Sequence, residues 1–355
     1  MSRRAHHLRG LLAALLVPAL GGDADAVAAG RHVVAPHAIA VESRPITAFS
    51  PAEPGRTRFG ALEFLGGLEL SSRDPAFGGL SGLRTRDHGR ELIAVSDEGI
   101  WVVARLATDA AGRPGAITDA RVASLRDAAG RPFGAKSARD AESLTLHAAG
   151  PGLEVRVGFE GWDRVLAYAS PDGTAAGLLE ARGHPIALPA DLGNFRPNGG
   201  MEAIAEPVGG GPLVAFGEWP RAGETTNPGW IVGGPRPGLF HVATVDGHAV
   251  TDAAFLADGD LLLLQRRFGL IRGFAMRLVR IPAADIRPGA TATGELLLAA
   301  DHTFEIDNME GLAVDTAPDG STILTLVSDD NYFALQRTVL LRFRLAPASG
   351  KTPPG

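Results

Sequence analysis

One phrase recurs five times along the chain, and it limits the fold more than any other feature. It opens on a polar or acidic residue, runs as a short apolar strand, turns, and returns as a longer apolar strand that ends in charge. The copies are "SGLRTRDHGRELIAVSDEG" from Ser81, "ESLTLHAAGPGLEVRVGFEG" from Glu142, "EAIAEPVGGGPLVAFGEW" from Glu202, "DAAFLADGDLLLLQRRF" from Asp252 and "EGLAVDTAPDGSTILTLVSDD" from Glu310. Successive starts lie 61, 60, 50 and 58 residues apart. Such a period marks a repeat whose units cannot bury their apolar faces alone and must stack on one another.

Each copy is followed by a third apolar stretch: "WVVARLA", "RVLAYAS", "GLFHVAT", "MRLVRIP" and "TVLLRFRL". A fourth is visible as "ARVASL", "HPIAL" and "GELLLAA", and is faint in the third copy. Four short strands per repeat suit the blade of a β-propeller. The fifth copy has no fourth strand after it, and "FGALEFLGGLELSS" from Phe59 can supply one and close the ring. The expected fold is therefore all-β, a β-propeller of five four-stranded blades closed by an N-terminal strand. Six blades is the alternative, because residues 29–60 carry no assigned strand. The 46 glycines and 25 prolines fit a chain of many turns. A β-sandwich followed by a second β domain gives no reason for five copies of one phrase.

The first 28 residues read as an export signal, with basic "MSRRAHHLRG", a short apolar core "LLAALLVPAL" and small residues before Ala28. The apolar run is too short to span a bilayer, so a periplasmic or secreted protein without a membrane anchor is expected. The expected boundaries are then an extension over 29–57, the propeller over 58–346 and a tail over 347–355. The absence of cysteine excludes disulfides, thiol catalysis and cysteine-ligated zinc. Removing residues 1–28 takes away three arginines and two aspartates, moving the net charge from −6 to −7. An acidic chain argues against nucleic-acid partners, which call for a basic surface. A monomer acting on a small anionic molecule is the expectation.

Propeller geometry makes the acids converge. The first strand of each blade runs along the channel and the second returns, so phrase openings and second-strand ends share one rim. That rim gathers Asp140, Glu142, Glu202, Asp252, Asp307, Asn308 and Glu310 with Asp97, Glu98, Glu160, Glu218, Arg266, Arg267, Asp329, Asp330 and Asn331. So many carboxylates raise one another's pKa unless a cation neutralises them. Oxygen donors in a flexible set favour calcium over magnesium, with Glu142, Glu202, Asp307, Asn308, Glu310 and Asp329 as candidate ligands. Zinc finds few histidines here, His302 being the best placed. Arg164, Arg266 and Arg267 are candidates to bind an anionic group, since guanidinium forks pair with phosphate and carboxylate. Asp97 is a candidate general base, and Glu160 a further candidate catalytic residue or calcium ligand. The alternative for each acid is structural, a hydrogen bond to a backbone amide of the neighbouring blade. Phe159, Trp162, Trp219, Phe268, Tyr332 and Phe333 shape a pocket on one reading and pack between blades on the other.

"FGGLSGL", "AVSDEG", "DAESL", "VGFEGWDRVLAY", "GMEAIA", "TDAAFLADGDLLLLQRRF", "DNMEGLAV" and "LVSDDNYF" follow one another as in the phytase-like family, known as "esterase-like activity of phytase". The resemblance spans roughly residues 58–345. Gln265 departs from it, standing where an acid is expected. The resemblance implies a propeller and hydrolysis of phosphate or carboxylic esters. Two other functions remain open: a non-catalytic propeller that binds a ligand or partner at the same mouth, and a lactonase-like enzyme, since "EGLAVDTAPDG" is similar to the strand-turn phrase of gluconolactonase-type propellers.

Overall fold

The computed structural model describes residues 33–346, apart from 149–151, 191, 193–198, 222, 244 and 246. The segments read as signal (1–28) and tail (347–355) lie outside these residues. Four strands precede the repeat: β1 (His37–Ala38), β2 (Glu42–Ile46), β3 (Arg58–Phe59) and β4 (Leu62–Ser71). Blade 1 consists of β5 (Leu80–Arg86), β6 (Glu91–Ser96), β7 (Ile100–Thr108) and β8 (Pro114–Ser124). A single helical turn, α1 (Lys136–Arg139), leads into blade 2: β9 (Ala141–His147), β10 (Glu154–Phe159), β11 (Arg164–Ala169) and β12 (Gly183–Pro185). Blade 3 follows with β13 (Met201–Ala205), β14 (Leu213–Gly217), β15 (Thr226–Val232) and β16 (Gly238–Ala243). Blade 4 is β17 (Ala249–Phe255), β18 (Leu261–Gly269) and β19 (Gly273–Ile281), then β20 (Thr291–Ala292), which adds to the edge of blade 3, and β21 (Glu295–Asp301). Blade 5 has β22 (Asn308–Thr316), β23 (Thr322–Asp329) and β24 (Thr338–Leu345).

The five sheets form a five-bladed β-propeller. As the sequence predicts, blade 5 takes its fourth strand from the N-terminal part of the chain: β4 pairs antiparallel with β24, from Leu62↔Leu345 to Leu70↔Thr338. Residues upstream reinforce this closure. β2 pairs with β4 on the outside of blade 5, and β1 pairs with β8 on the outside of blade 1. One short segment thus straps together the two blades that the ring must join last.

Blade 3 differs from the reading of the sequence. "GLFHVAT" is its fourth strand, not its third, and the third is β15. The stretch looks like a turn because Asn227-Pro228 breaks the apolar pattern. Pro228 is tolerated because it lies just outside the pairing of β15 with β14, which begins at Gly229.

The blades are buried on both faces, which is why their strands read as continuous apolar runs. In β6, Leu92 and Ala94 pack toward blade 5, whereas Ile93 and Val95 pack toward blade 2. Five apolar clusters result, one at each seam. The seam between blades 4 and 5 is the richest in aromatics, with Phe59, Phe64 and Phe343 each in ring contact with Phe49. Each fully buried leucine here contributes about 1.5–3 kcal/mol.

The centre of the ring is filled by a side chain. Arg84, from blade 1, donates to the carbonyls of Leu83, Leu312, Ile204 and Ala253 and to the carboxylate of Asp252. It therefore ties the inner strands of blades 1, 3, 4 and 5 together. The carboxyl-rich face lies at one end of this plug.

Candidate functional site: an acidic mouth built on five bulges

Every inner strand carries a register shift near its start, and the residue left unpaired is Ser81, Glu142, Glu202, Thr251 or Glu310 in blades 1 to 5. A β-bulge bends the strand and re-aims the side chain at that point. This is the local reason why three glutamates leave the blade surface and point into the mouth. On the second strand, the residue that follows the partner of the pre-bulge residue forms a second ring: Asp97, Glu160, Glu218, Arg266 and Asp329. In three blades its amide donates to the residue two before the bulge, Asp97 to Gly79, Glu160 to Asp140 and Glu218 to Gly200. In the other two, Arg266 pairs with Ala249 and Asp329 with Asn308.

The frame of blade 4 is one residue away from the one its sequence offers. "TDAAF" aligns by eye with "MEGLA", placing Asp252 beside Glu202 and Glu310. The bulge falls on Thr251 instead. Asp252 is completely buried, accepts from Arg84 and from the amides of Ala253 and Leu312, and does not join the rim. For this acid the structural alternative holds.

Two cations serve the mouth. Arg266 reaches Glu310 at 3.2 Å and Glu218 at 3.8 Å. Burial alone lowers its pKa, but Glu310, Glu218 and Glu202 raise it overall. Lys136 on α1 is not among the residues to which the repeated phrase points. Its ammonium contacts Asp97 Oδ2 at 2.8 Å and Asp140 Oδ1 at 2.6 Å. Two signals could have found it: the chain has only two lysines, and Lys136 stands one helical turn before Asp140. Arg139, on the same turn, is used up by Glu98 at 2.9 Å.

The remaining carboxyls are poorly compensated. Burial raises the pKa of Glu142 well above its ordinary value, and Glu202 and Asp140 add to the effect. Glu202 is raised well above its ordinary value by burial, then by Glu218, Glu160 and Glu310. Asp329 is raised well above the usual range by burial and by Asp97. Burial also raises Glu160 and Glu310, in the latter case against the pull of Arg266. Asp97 stays raised by burial despite Lys136. Glu218 is pushed up to about 7 by burial, with Arg266 opposing and Glu310 adding.

The donors are all oxygen. Ligand atoms of Asp140, Glu142 and Glu160 lie within 4.8 Å of one another. Glu310 accepts from Asn308 Nδ2 at 2.8 Å, while Asn308 Oδ1 is buried with no hydrogen-bond partner, as is Asp97 Oδ1. Converging acids with orphaned oxygens fit a hard cation. His302 is exposed in a turn, and a zinc site gains nothing from it.

Other candidates are placed elsewhere. Asp307 turns to the following strand connection, accepting from the amides of Asn308 and Arg337 and facing Arg337 Nε at 3.7 Å. Arg164 stacks on Phe159 at 4.1 Å and donates to the carbonyls of Trp162 and Ala138, and burial lowers its pKa. Arg267 follows Arg266 on β18, so it emerges on the opposite face of the strand. Asp330 accepts from the amides of Gly79 and Tyr332, and Asn331 donates to Gln336. Phe159 is core, whereas Trp162, Phe268 and Phe333 are exposed around the rim with Leu270, Ile271 and Leu335. Gln265 is buried, with Oε1 unpartnered.

Tyr332 holds one wall in place. It and Asn331 both adopt left-handed backbone, φ 49° and 48°, a strained conformation for non-glycine residues. Its ring lies so close to Gly79 that a Cβ there would sit 2.6 Å from it and 2.3 Å from Asp97 Oδ1. The glycine pair in "FGGL" is therefore needed for this approach.

These features define a class: a five-bladed propeller whose mouth is an oxygen-rich, carboxyl-dominated cluster with two ion-paired cations. The chain belongs to the phytase-like family, since the family model described as "Phytase-like: Esterase-like activity of phytase" matches residues 75–332. That family points to a hydrolase-type function. No curated protein matches the chain. Among solved structures it is similar to Kuenenia stuttgartiensis hydrazine synthase, with TM-score 0.34 and 11% identity over 76% of this chain and 72% of that one. It is also similar to Chaetomium thermophilum Sqt1 bound to the N-terminus of ribosomal protein L10, with TM-score 0.31 and 13% identity over 83% and 72% of the two chains.

Proposed function

We propose that this chain is an exported, calcium-assisted hydrolase of phosphate or carboxylic esters, acting on a small anionic substrate at the acidic mouth. The observation that carries the reading is the two rings of bulge and strand-end residues, in which carboxyls far outnumber cations. Asp140, Glu142 and Glu160 would hold the ion, with Glu202, Glu310, Asn308 and Asp329 completing the oxygen-rich surround. Bound calcium supplies Lewis-acid polarisation and a site for water. Arg266 sits between Glu218 and Glu310, where it can meet a substrate's negative charge and stabilise charge that develops on it. Glu218 is better suited than Asp97 to move a proton near neutral pH. Its pKa is pushed to about 7, and proton transfer is most efficient when pKa and working pH match. Asp97 is committed to Lys136.

The test is turnover of the purified protein on a phosphomonoester, a carboxylic ester and a lactone, each with calcium and with chelator. Calcium-dependent turnover of either ester class supports the reading, and its absence on both overturns it. A second reading, a non-catalytic propeller docking a partner at this mouth, is favoured by the exposed Trp162, Phe268, Leu270, Ile271 and Phe333 around it.

A further inference from the structure

At the opposite end of the propeller a cleft of about 400 Å³ opens at the seam of blades 1 and 5. It is lined by the β5–β6 turn with His88 and Arg90, by the β7–β8 turn, by the β22–β23 turn, and by Arg342 and Arg344 of β24. Its volume falls in the range of small-molecule pockets.

Arg342 is 2% exposed. Its guanidinium donates to the carbonyls of Gly112 at 3.2 Å and His88 at 3.1 Å, while Nε has no hydrogen-bond partner. Among the described residues no carboxylate lies within ion-pair distance of it. Asp315 acts on it electrostatically, yet both Asp315 oxygens already accept from backbone, one from Gly89 and one from Thr316. The other acids at the cleft, Asp109 and Asp319, cap their own turns. Arginine cannot shed its proton, and a buried charge without a partner is strongly disfavoured.

The surroundings are built around this cation. Asp87, His88 and Gly89 all take left-handed backbone, with φ 54°, 58° and 74°. Two non-glycine residues in succession in this region are costly, and the turn brings the His88 carbonyl onto Arg342. At φ 74° a side chain on Gly89 would be strained, and its Cβ would lie 2.4 Å from Arg342 Nη2 and press on the guanidinium. Arg344 adds a second guanidinium, 3.2 Å from Glu63 and 29% exposed. Arg90, paired with Asp87 at 2.8 Å, stands at the entrance.

We propose that this cleft binds a small ligand through an oxyanion, phosphate or carboxylate, with Arg342 as the buried anchor and Arg344 as the second contact. A guanidinium has five N–H donors, and only two of those on Arg342 are engaged. The site is independent of the acidic mouth and does not rest on the hydrolase reading.

Isothermal titration with inorganic phosphate, and separately with citrate, tests the assignment. Chelator is present throughout, so that the mouth cannot hold an anion through a metal. At least one of the two probes is expected to bind the wild type, and which one binds identifies the oxyanion. Arg342→Gln is expected to weaken that binding by about tenfold or more, the loss of one charge-assisted hydrogen bond. Arg344→Gln, a partly exposed position that leaves the fold intact, is expected to weaken it several-fold, and Glu310→Gln to leave it unchanged. If Arg342→Gln fails to fold, Arg344→Gln decides. Absence of binding by both probes overturns the proposal, as does undiminished affinity in Arg344→Gln or loss of binding in Glu310→Gln.

Discussion

Arg84 and Asp252 form a two-pronged ion pair at the centre of the ring, with Nη1–Oδ2 at 2.8 Å and Nη2–Oδ1 at 3.1 Å. They come from blades 1 and 4, which are not neighbours. The pair therefore spans the ring, and its other hydrogen bonds bind inner-strand carbonyls that no sheet partner uses. A small ring closed by one strap gains rigidity from such a cross-member.

Breaking this pair from one side should be costly. Arg84→Met or Asp252→Leu leaves the opposite charge buried and unpaired, with an expected loss of about 3–5 kcal/mol. The double variant Arg84→Met/Asp252→Leu should lose less than the two single losses combined. Chemical denaturation of the three variants measures this, and a simple sum of the single effects would show that the residues do not act as a pair.

Stability should respond to pH through the mouth. Glu218, Glu142, Glu202 and Asp329 have carboxyl pKa values raised by burial. Between the unfolded value near 4.5 and the folded value of about 7 for Glu218, the folded state holds a proton that the unfolded chain has released. Stability must therefore fall as pH rises through that window. In chelator, the melting temperature should drop from pH 5 to pH 8. Calcium, which needs the ionised carboxylates, should restore more of it at pH 8 than at pH 5. Thermal melts across that range check both halves, and a calcium effect independent of pH would contradict the second.

Arg266 is the only cation in the ring of strand-end residues, and its value should depend on whether the acids around it are ionised. Arg266→Gln should cost about 1.5–3 kcal/mol at pH 8, where Glu310 and Glu218 need a counter-charge. At pH 5 Glu218, pushed up to about 7, holds its proton, and the cost should shrink. Denaturation midpoints at the two pH values give the comparison.

Much of this architecture is legible in the sequence because it repeats. Five copies of one phrase give the blades, and the missing last strand gives the closure by β4. The converging glutamates Glu142, Glu202 and Glu310 follow from the same periodicity. What periodicity does not carry is a shift of one residue. The bulge of blade 4 sits on Thr251, and that slip sends Asp252 to the centre and leaves Arg266 as the cation of the rim. Pairings that join distant parts of the chain are equally hidden. Nothing near "GLRTR" shows that Arg84 reaches four blades, nor that Lys136, ahead of its blade, reaches Asp97. Asp307 and Asp140 look alike as acids ahead of an inner strand. Yet Asp140 stands two residues before its bulge and Asp307 three before its own, so Asp307 faces Arg337 instead of the mouth.

The triad Asp140, Glu142 and Glu160 makes the sharpest claim about the metal, because their oxygens lie within 4.8 Å of one another before any ion is added. Ionised together they repel, and protonated they bind no cation. Glu142→Gln removes one charge and one ligand while keeping the shape. In chelator it should stabilise the protein slightly at pH 8, since it removes a buried carboxyl that Glu202 and Asp140 repel. In calcium it should be less stable than the wild type, with the calcium-induced rise in melting temperature largely lost. Asp307→Asn, whose carboxylate faces Arg337, should keep that rise. Melting curves of the two variants with and without calcium separate a ligand from a bystander, and an unchanged calcium response in Glu142→Gln would move the ion away from this triad.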